Sequence, residues 1–288
     1  MPDYVPPISY LHALILGLVQ GATEFLPVSS TAHMRVLPAL LHWPDPGAAF
    51  SAVVQLGPIV AILAFFGRDL VRYAAGILRS LSAGKLFPEG DLDARLGWYT
   101  LLGTIPLAVA GLLLEKKVDK EYRNLIFVAA ALILLAVVLA VAEWVSRRKK
   151  TLAQLTFGEA MMIGLAQALA LVPGASRSGV TYTTGLFLGL DRDSAIRFSF
   201  LLSIPAITLA GLYKMVKVLH HTHLGGAAGP YLFSALVAGL VAYGVVRWLL
   251  GYLGNEKNTT LPFIVYRIVL GLALLWLVHV GFVVPESH

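Results

Sequence analysis

The sequence predicts an all-α polytopic membrane protein, with about six transmembrane helices and two re-entrant helical hairpins arranged as an inverted repeat. The first reason is composition: 58% of the 288 residues are hydrophobic and only 13% are charged, whereas soluble domains carry about 25% charged residues. The second is a series of apolar segments of membrane-spanning length. The third is a pair of similar apolar segments that each end in a proline-containing, hydroxyl-rich break. We expect residues 1–288 to form a single integral membrane domain.

Six apolar segments reach the length of about 17 to 25 residues that a spanning helix needs. They are predicted near residues 49–66, 97–114, 124–145, 195–218, 230–252 and 262–284. No small-residue cleavage site follows the first apolar run, so we expect no removable signal peptide. The absence of cysteine excludes disulfides, thiolate catalysis and cysteine zinc sites.

Two further apolar segments are predicted to enter the membrane and return to the same side. Residues 8–26 and 153–172 run into the breaks LPVSST and VPGASRS and then resume as a shorter helix. Broken helices are tolerated at membrane depth only where protein or a water-filled cavity satisfies the freed backbone groups. Each segment is therefore interpreted as a re-entrant hairpin.

The two hairpins resemble each other and indicate a duplication. GLVQ from residue 17 recurs as GLAQ from residue 164, and FSAVVQLGPIVAI from Phe50 is echoed by FSFLLSIPAIT from Phe198. Three predicted spans separate the hairpins, and this odd number brings the second hairpin in from the opposite face. The inverted repeats are predicted at approximately residues 8–145 and 153–284.

Basic residues predict the orientation. The net charge of +6 could suggest nucleic acid, but the basic residues lie in short loops, which fits cytoplasmic loops and anionic lipid headgroups. We expect no nucleic-acid partner. The side opposite the N-terminus receives Arg68, Arg72, Arg79, Lys85, Arg95, the run 147–150, Arg192, Arg197, Arg247 and Lys257. This side is predicted to be cytoplasmic, so both termini and the mouth of the first hairpin are predicted to face outward.

Glu24 is the first candidate for chemistry. A charge at bilayer depth costs roughly 2.5 to 3.5 kcal/mol on insertion scales, so a carboxylate kept there usually faces a functional cavity. Gln20 lies four residues earlier, on the same face of a helix. Their oxygens are the ligands that a hard cation such as Mg²⁺ or Ca²⁺ prefers. The sequence predicts Glu24 and Gln20 as ligands of a divalent cation.

Hydroxyl groups and an imidazole follow the break at Pro27. A serine hydroxyl near a carboxylate or imidazole, such as Ser30 near His33, is the minimal arrangement for an activated nucleophile. The alternative is that Ser29, Ser30 or Thr31 only caps the next helix, since serine and threonine are preferred N-caps. At least one of the three is expected to do so.

The second hairpin is predicted to bind an anion. A glycine-containing turn that opens a helix presents backbone N–H groups and the positive end of the helix dipole. Arg177 adds a planar guanidinium that binds two phosphate oxygens at once. The accompanying hydroxyl donors are Ser176, Ser178 and Thr181. The alternative role for Arg177 is an ion pair with Glu24. Both roles bring the two hairpin tips together.

These groups together indicate phosphoryl transfer, in which positioning and charge neutralisation supply most of the catalysis. The substrate is expected to carry a lipid, because the pocket lies within the bilayer. Inverted repeats with broken helices are also typical of transporters, so a carrier or flippase for a phosphorylated lipid is the alternative function. A carrier needs no nucleophile, so the presence of Ser30 and His33 favours an enzyme over a carrier. A purely structural scaffold would leave Glu24 and Arg177 without a role.

The stretches QGATEFLPVSSTAH and PGASRSGVT resemble the paired signatures of the undecaprenyl pyrophosphate phosphatase family, also called BacA/UppP, and the resemblance covers essentially the whole chain. It implies a bacterial inner-membrane enzyme that removes the terminal phosphate from C55 isoprenyl pyrophosphate in a reaction dependent on a divalent cation. It further implies recycling of the lipid carrier for peptidoglycan synthesis, and bacitracin resistance. The oligomeric state stays open between a monomer and a homodimer.

The resemblance also implies roles for individual residues. Glu24 matches the essential carboxylate, Ser30 the proposed nucleophile, His33 the proposed general base or acid, and Arg177 the phosphate-binding arginine. The hydroxyls assigned to phosphate binding beside Arg177 are Ser29, Thr31, Ser176, Ser178 and Thr181. Gln20 stands where many members have glutamate, so a two-carboxylate metal site does not carry over. Whether Ser30 forms a phosphoenzyme or His33 activates water stays open.

Overall fold

The computed structural model describes residues 8–121, 124–221 and 227–284 of the chain. The described residues form α-helices joined by short turns. The helices are α1 Tyr10–Thr23, α2 Ser30–Leu40, α3 Gly47–Val54, α4 Leu56–Ser82, α5 Leu92–Glu121, α6 Leu125–Val145, α7 Phe157–Gln167, α8 Arg177–Phe187, α9 Arg192–His221, α10 Ala228–Leu253 and α11 Leu261–His279. The predicted all-α fold class is confirmed.

Six helical stretches within the described residues are long and apolar enough to cross a membrane. They are Ala49–Ser82, Leu92–Leu114, Leu125–Val145, Arg192–His220, Ala228–Leu253 and Leu261–His279. They correspond one to one with the six predicted spans, so the protein is a multi-pass membrane protein. The first stretch combines α3 and α4, which are separated only at Gln55. Pro58 has no N–H for the carbonyl of Val54, and this loss weakens the helix at that point.

Two predicted boundaries differ from the structure. The first span was expected to end near residue 66, but α4 continues to Ser82 because its polar second half is held against the start of α5. Arg72 forms an ion pair with Asp93 at 2.8 Å, and Arg79 forms one with Asp91 at 2.8 Å. The last span ends at His279 rather than near residue 284, because the chain turns at Gly281, which has a φ of 73°.

Helical structure is interrupted at both predicted breaks. Ser29 and Ser176 are the N-caps of α2 and α8, and both have a left-handed φ, 72° and 68°. Their side chains accept hydrogen bonds from the backbone N–H groups of Ala32 and Gly179. The capping role expected for one of the first hydroxyls belongs to Ser29. Re-entry of the two helix pairs into a membrane stays a prediction.

Glycines allow the first helix of each hairpin to approach a long helix of the other half of the chain. A Cβ atom on Gly21 of α1 would lie 2.4 Å from the carbonyl oxygen of Ala238 in α10. In the second half, a Cβ atom on Gly164 of α7 would lie 2.2 Å from the carbonyl oxygen of Gly103 in α5. Small residues permit such close approach of helices in membranes, and these contacts position both hairpins.

Gly57 offers a test of this packing. A Cβ atom at Gly57 of α4 would lie 2.0 Å from the carbonyl oxygen of Ala235 in α10, so we expect Gly57→Ala to separate the two helices and lower the melting temperature of the purified protein. The matched control is Gly67→Ala in the same helix, where nothing lies within 4 Å of the added atom. Because alanine favours helix by up to about 1 kcal/mol over glycine, the control is expected to be neutral or stabilising. Equal melting temperatures for the two variants would contradict the packing.

Candidate active site

The tips of the two hairpins are in direct contact. The Ser178 hydroxyl donates a hydrogen bond to the carbonyl oxygen of Leu26 at 3.0 Å, and the Ser176 hydroxyl reaches the same oxygen at 3.4 Å. Leu26 lies in the first break and both serines lie at the start of α8. Side chains from residues far apart in the chain therefore share one site.

Glu24 lies at the centre of this site, and both oxygens of its carboxylate accept hydrogen bonds. Oε2 accepts from the Ser30 hydroxyl at 2.6 Å and from Nε2 of Gln20 at 3.0 Å. Oε1 accepts from Nη2 of Arg177 at 2.7 Å and from Nε2 of Gln55 at 2.9 Å. Only 2% of the Glu24 side chain is exposed, compared with 22% for Arg177. The charge on Glu24 is thus paired and fully hydrogen-bonded, as a buried carboxylate requires.

This geometry brings a hydroxyl, a carboxylate and a guanidinium together. The short bond from Ser30 to Glu24 aims the hydroxyl proton at a carboxylate, which is the arrangement of an activated serine. Arg177 donates to the other oxygen of the same carboxylate, and 22% of its side chain is exposed. Ser30 and Arg177 are therefore held on either side of one carboxylate.

His33 is held by partners other than Ser30. Its Nδ1 lies 2.7 Å from the carbonyl oxygen of Ser29, and its Nε2 lies 2.6 Å from the hydroxyl of Tyr266 in α11. A carbonyl oxygen only accepts, so Nδ1 donates and Nε2 accepts from Tyr266 when the ring is neutral. The two rings are stacked with an interplanar angle of 6°. The proton of Ser30 is directed at Glu24 and not at His33.

The remaining hydroxyls predicted to bind phosphate already have protein partners, within the two tips and, for Thr181, also the Ser199 hydroxyl of α9 at 2.6 Å. The hydroxyls of Ser29 and Thr31 lie 3.0 Å apart, and those of Ser176 and Ser178 lie 3.2 Å apart. Thr181 donates to the carbonyl oxygen of Arg177 at 2.8 Å. These bonds stabilise the first turns of α2 and α8, which carry Ser30 and Arg177.

Three side chains that contact the site were missed from sequence: Gln55, Tyr266 and Arg267. The hydroxyl of Tyr266 gave no signal, because tyrosine is common near membrane interfaces. Gln55 and Arg267 did give one. Each is a polar residue inside an apolar segment, where polar and ionisable side chains are costly and usually functional.

The groups around Glu24 include oxygen ligands of the kind that a divalent cation takes, with both neighbouring amides turned so that their N–H groups face the carboxylate. Within the described ranges no group of three histidine, cysteine, aspartate or glutamate side chains is close enough to hold a metal by itself. Glu24 instead supplies one carboxylate, with the amides of Gln20 and Gln55 bonded to it. Mg²⁺ is usually bound by one or two carboxylates together with substrate phosphates, so a single carboxylate suffices when a diphosphate completes the site.

Comparison with known families identifies the family of the chain. The family model described as "Bacitracin resistance protein BacA" matches residues 13–273. The chain belongs to the BacA family. All the side chains that contact the site, from Gln20 to Arg267, lie inside the matched region of this BacA member.

Relatives of this BacA member cover nearly its whole length. A protein of Myxococcus xanthus named undecaprenyl-diphosphatase is 47% identical over 280 residues, which are 97% of this chain and 93% of that relative. Proteins of the same name from Prosthecochloris aestuarii and Thermobifida fusca are 43% and 42% identical and cover 95% and 97% of this chain. The aligned regions cover 99% of the Prosthecochloris protein and 94% of the Thermobifida protein. The similarity extends over both hairpins and all six spans.

Proposed function

We propose that this protein is an undecaprenyl-diphosphate phosphatase that releases inorganic phosphate and leaves undecaprenyl phosphate. The observation that carries the proposal is the carboxylate of Glu24, which receives the Ser30 hydroxyl on one oxygen and Arg177 on the other. This combination suits attack on a phosphorus atom whose negative charge is neutralised nearby. The name shared by the relatives supports the substrate, and the apolar helices that surround the site support a lipid.

The first step of the proposed reaction is attack by Ser30. Oγ of Ser30 bonds to the distal phosphorus, and its proton passes to Oε2 of Glu24. The bond between that phosphorus and the bridging oxygen breaks, and undecaprenyl phosphate leaves with the electron pair. Arg177 exchanges Glu24 for the phosphate oxygens and neutralises the charge that develops on them. Phosphoserine remains at position 30.

The second step is hydrolysis of the phosphoserine. The tautomer fixed by Ser29 leaves Nε2 of His33 as an acceptor, and a water that displaces the Tyr266 hydroxyl can give it a proton. The oxygen of that water bonds to phosphorus, the bond from phosphorus to Oγ breaks, and Ser30 recovers its proton from Glu24, while His33 releases the proton of the water to solvent. Inorganic phosphate is released. The structure gives Ser30 and His33 separate partners, and this separation supports two bases for two steps.

A divalent cation, Mg²⁺ or Ca²⁺, would be held by Glu24 and by the amide oxygens of Gln20 and Gln55, together with the diphosphate. When bound, it supplies neutralisation of phosphate charge. We expect a chelator to abolish phosphate release and added Mg²⁺ or Ca²⁺ to restore it.

The setting of the reaction follows from the topology. We propose that the two halves, residues 8–145 and 153–284, are inverted repeats in the inner membrane of a bacterium, with both termini and the mouth of the site on the periplasmic side. The equivalent left-handed serine caps at the two tips support the repeat. There the reaction would recycle the lipid carrier of peptidoglycan synthesis and confer bacitracin resistance. A homodimer is compatible with the exposed apolar helix faces.

The direct test is phosphate release from undecaprenyl diphosphate and farnesyl diphosphate by the purified protein with Mg²⁺ or Ca²⁺. We expect release from both, and loss of release in Arg177→Ala. A protein that moves lipid phosphate across vesicles but releases no phosphate would support the alternative, a carrier or flippase. An Arg177→Ala variant with unchanged activity would contradict the site.

His33→Ala should separate the two proposed steps. Glu24 still accepts the proton of Ser30 in this variant, so we expect the phosphoserine to form and then to persist. The measurement is acid quenching after reaction with substrate labelled with ³²P in the distal phosphate. His279→Ala, an exposed histidine at the end of α11, is the matched control and should turn over normally. A His33→Ala protein that acquires no label would contradict the assignment of His33 to the second step.

A further inference from the structure

Arg267 is a buried cation at the junction of the two hairpins. It lies in α11, and only 1% of the residue is exposed. Among the described residues its hydrogen-bond partners are carbonyl oxygens and no carboxylate. They are those of Leu132 at 3.3 Å, Pro27 at 3.3 Å, Gly174 at 3.2 Å, Ala175 at 3.2 Å and Ala131 at 3.5 Å. A buried guanidinium needs such partners on all its N–H groups.

Two of these carbonyls occupy equivalent positions in the two hairpins. Nη1 donates to Pro27, which lies three residues before Ser30, and Nη2 donates to Gly174, which lies three residues before Arg177. The same guanidinium thus connects the backbone just ahead of the nucleophile to the backbone just ahead of the phosphate-binding arginine. A displacement of either tip would stretch one of these bonds.

The site is shaped for a guanidinium in particular. The planar guanidinium donates to several acceptors in fixed directions, whereas a lysine ammonium is a compact charge at the end of a flexible side chain. Gly179, in the first turn of α8, leaves room for this guanidinium, because a Cβ atom there would lie 2.9 Å from Nη1 of Arg267. The third anchor is α6, through the carbonyl of Leu132. The guanidinium of Arg267 therefore contacts both tips and a spanning helix.

We propose that Arg267 is a positioning residue that sets the distance between Ser30 and Arg177, and so between the attacking oxygen and the bound phosphate. This proposal rests on the proposed roles of Ser30 and Arg177. Arg267 acts through the backbone of the two tips. A shift of about 1 Å between reacting groups can lower a rate by about 100-fold. The rate should therefore depend strongly on the contact that holds the two hairpin tips at a fixed distance.

The test is Arg267→Lys in the full-length protein, with kcat and KM measured for phosphate release from farnesyl diphosphate per folded molecule. Lysine keeps the charge but cannot contact both tips, so we expect kcat to fall by about 10- to 100-fold and KM to change by less than about threefold. The matched control is Arg192→Lys. Arg192 is also largely buried and joins the start of α9 to Glu143 of α6, away from the hairpin tips. It is expected to lower the melting temperature while kcat per folded molecule is kept.

A double variant separates positioning from a merely structural role. If Arg267 acts through the placement of Arg177, then Arg267→Lys should lower kcat less in an Arg177→Lys background than in the wild type. Full additivity of the two effects, or a kcat within about threefold of wild type in Arg267→Lys, would overturn the proposal.

Gly179→Ala keeps the test decisive if Arg267→Lys does not fold. Its added methyl group would lie 2.9 Å from Nη1 of Arg267 and 3.1 Å from Cβ and Oγ of Ser176, so it crowds both the guanidinium and the cap of α8, and we expect a loss of kcat in the same direction. An unchanged kcat in that variant overturns the proposal. Failure of the proposed function would be seen separately, as a wild-type protein that releases no phosphate from undecaprenyl diphosphate or farnesyl diphosphate.

Discussion

Ser30→Ala is expected to lower phosphate release by at least ~10³-fold, because it removes the atom that bonds to phosphorus. The hydroxyl of Ser30 is the only group on α2 that donates to Glu24 among the described residues, so no neighbouring side chain replaces it. The measurements are kcat for farnesyl diphosphate and the ³²P label that survives acid quenching. Both should be lost, and the melting temperature should change little, since Ser30 is not the residue that caps α2.

Ser82→Ala is the matched control for this prediction. Its hydroxyl bonds to the carbonyl oxygen of Leu78 at the far end of α4, outside the site. We expect normal phosphate release and normal labelling. Labelled protein from Ser30→Ala would show that another atom is the nucleophile, and full activity would mean that water attacks directly.

The pair formed by Glu24 and Arg177 is expected to be needed for both activity and stability. Glu24→Gln and Arg177→Met should each abolish turnover, since one removes the base and the other the phosphate-binding cation. Each should also destabilise the protein, because it leaves the partner charge buried and unpaired. Removing one member of a buried pair costs about 3 to 5 kcal/mol, and the partial exposure of Arg177 reduces this to about 1 to 3 kcal/mol.

The double variant Glu24→Gln with Arg177→Met provides the control. It contains neither charge, so we expect its melting temperature to recover toward that of the wild type while activity stays absent. Thermal unfolding in detergent and phosphate release, measured on the same preparations, check both expectations. A double variant less stable than the sum of the two single variants would contradict the ion pair as a stabilising contact.

Much of the fold could be predicted from the sequence, because each span is a local property. A run of apolar residues long enough to cross a bilayer forms a helix, since its backbone groups have no other partner there. The end of α4 was missed for a related reason. Residues 67–82 carry four charged side chains, and what holds them is contact with α5: Arg72 and Arg79 pair with Asp93 and Asp91, and Gly76 packs against Ala94.

The candidate site could be predicted only where a residue stood out against its own segment. Glu24 and Arg177 are charges in apolar breaks, and both were identified. Gln55 was not, although it bonds directly to Glu24. Gln55 also stands out as a polar residue in an apolar segment, but its bond to Glu24 depends on where α3 ends relative to α1, and no local pattern contains that distance.

The sequence by itself determined the membrane class, the six spans, the two breaks and the charged residues inside them, since hydrophobicity and helix-breaking residues act over short distances. The tertiary structure alone decided which groups pair. The Ser30 hydroxyl donates to Glu24, His33 is hydrogen-bonded to Tyr266, and Arg267 of α11 donates to carbonyl oxygens of both tips. Such contacts depend on how whole helices pack, and helix packing is set by the summed fit of many side chains.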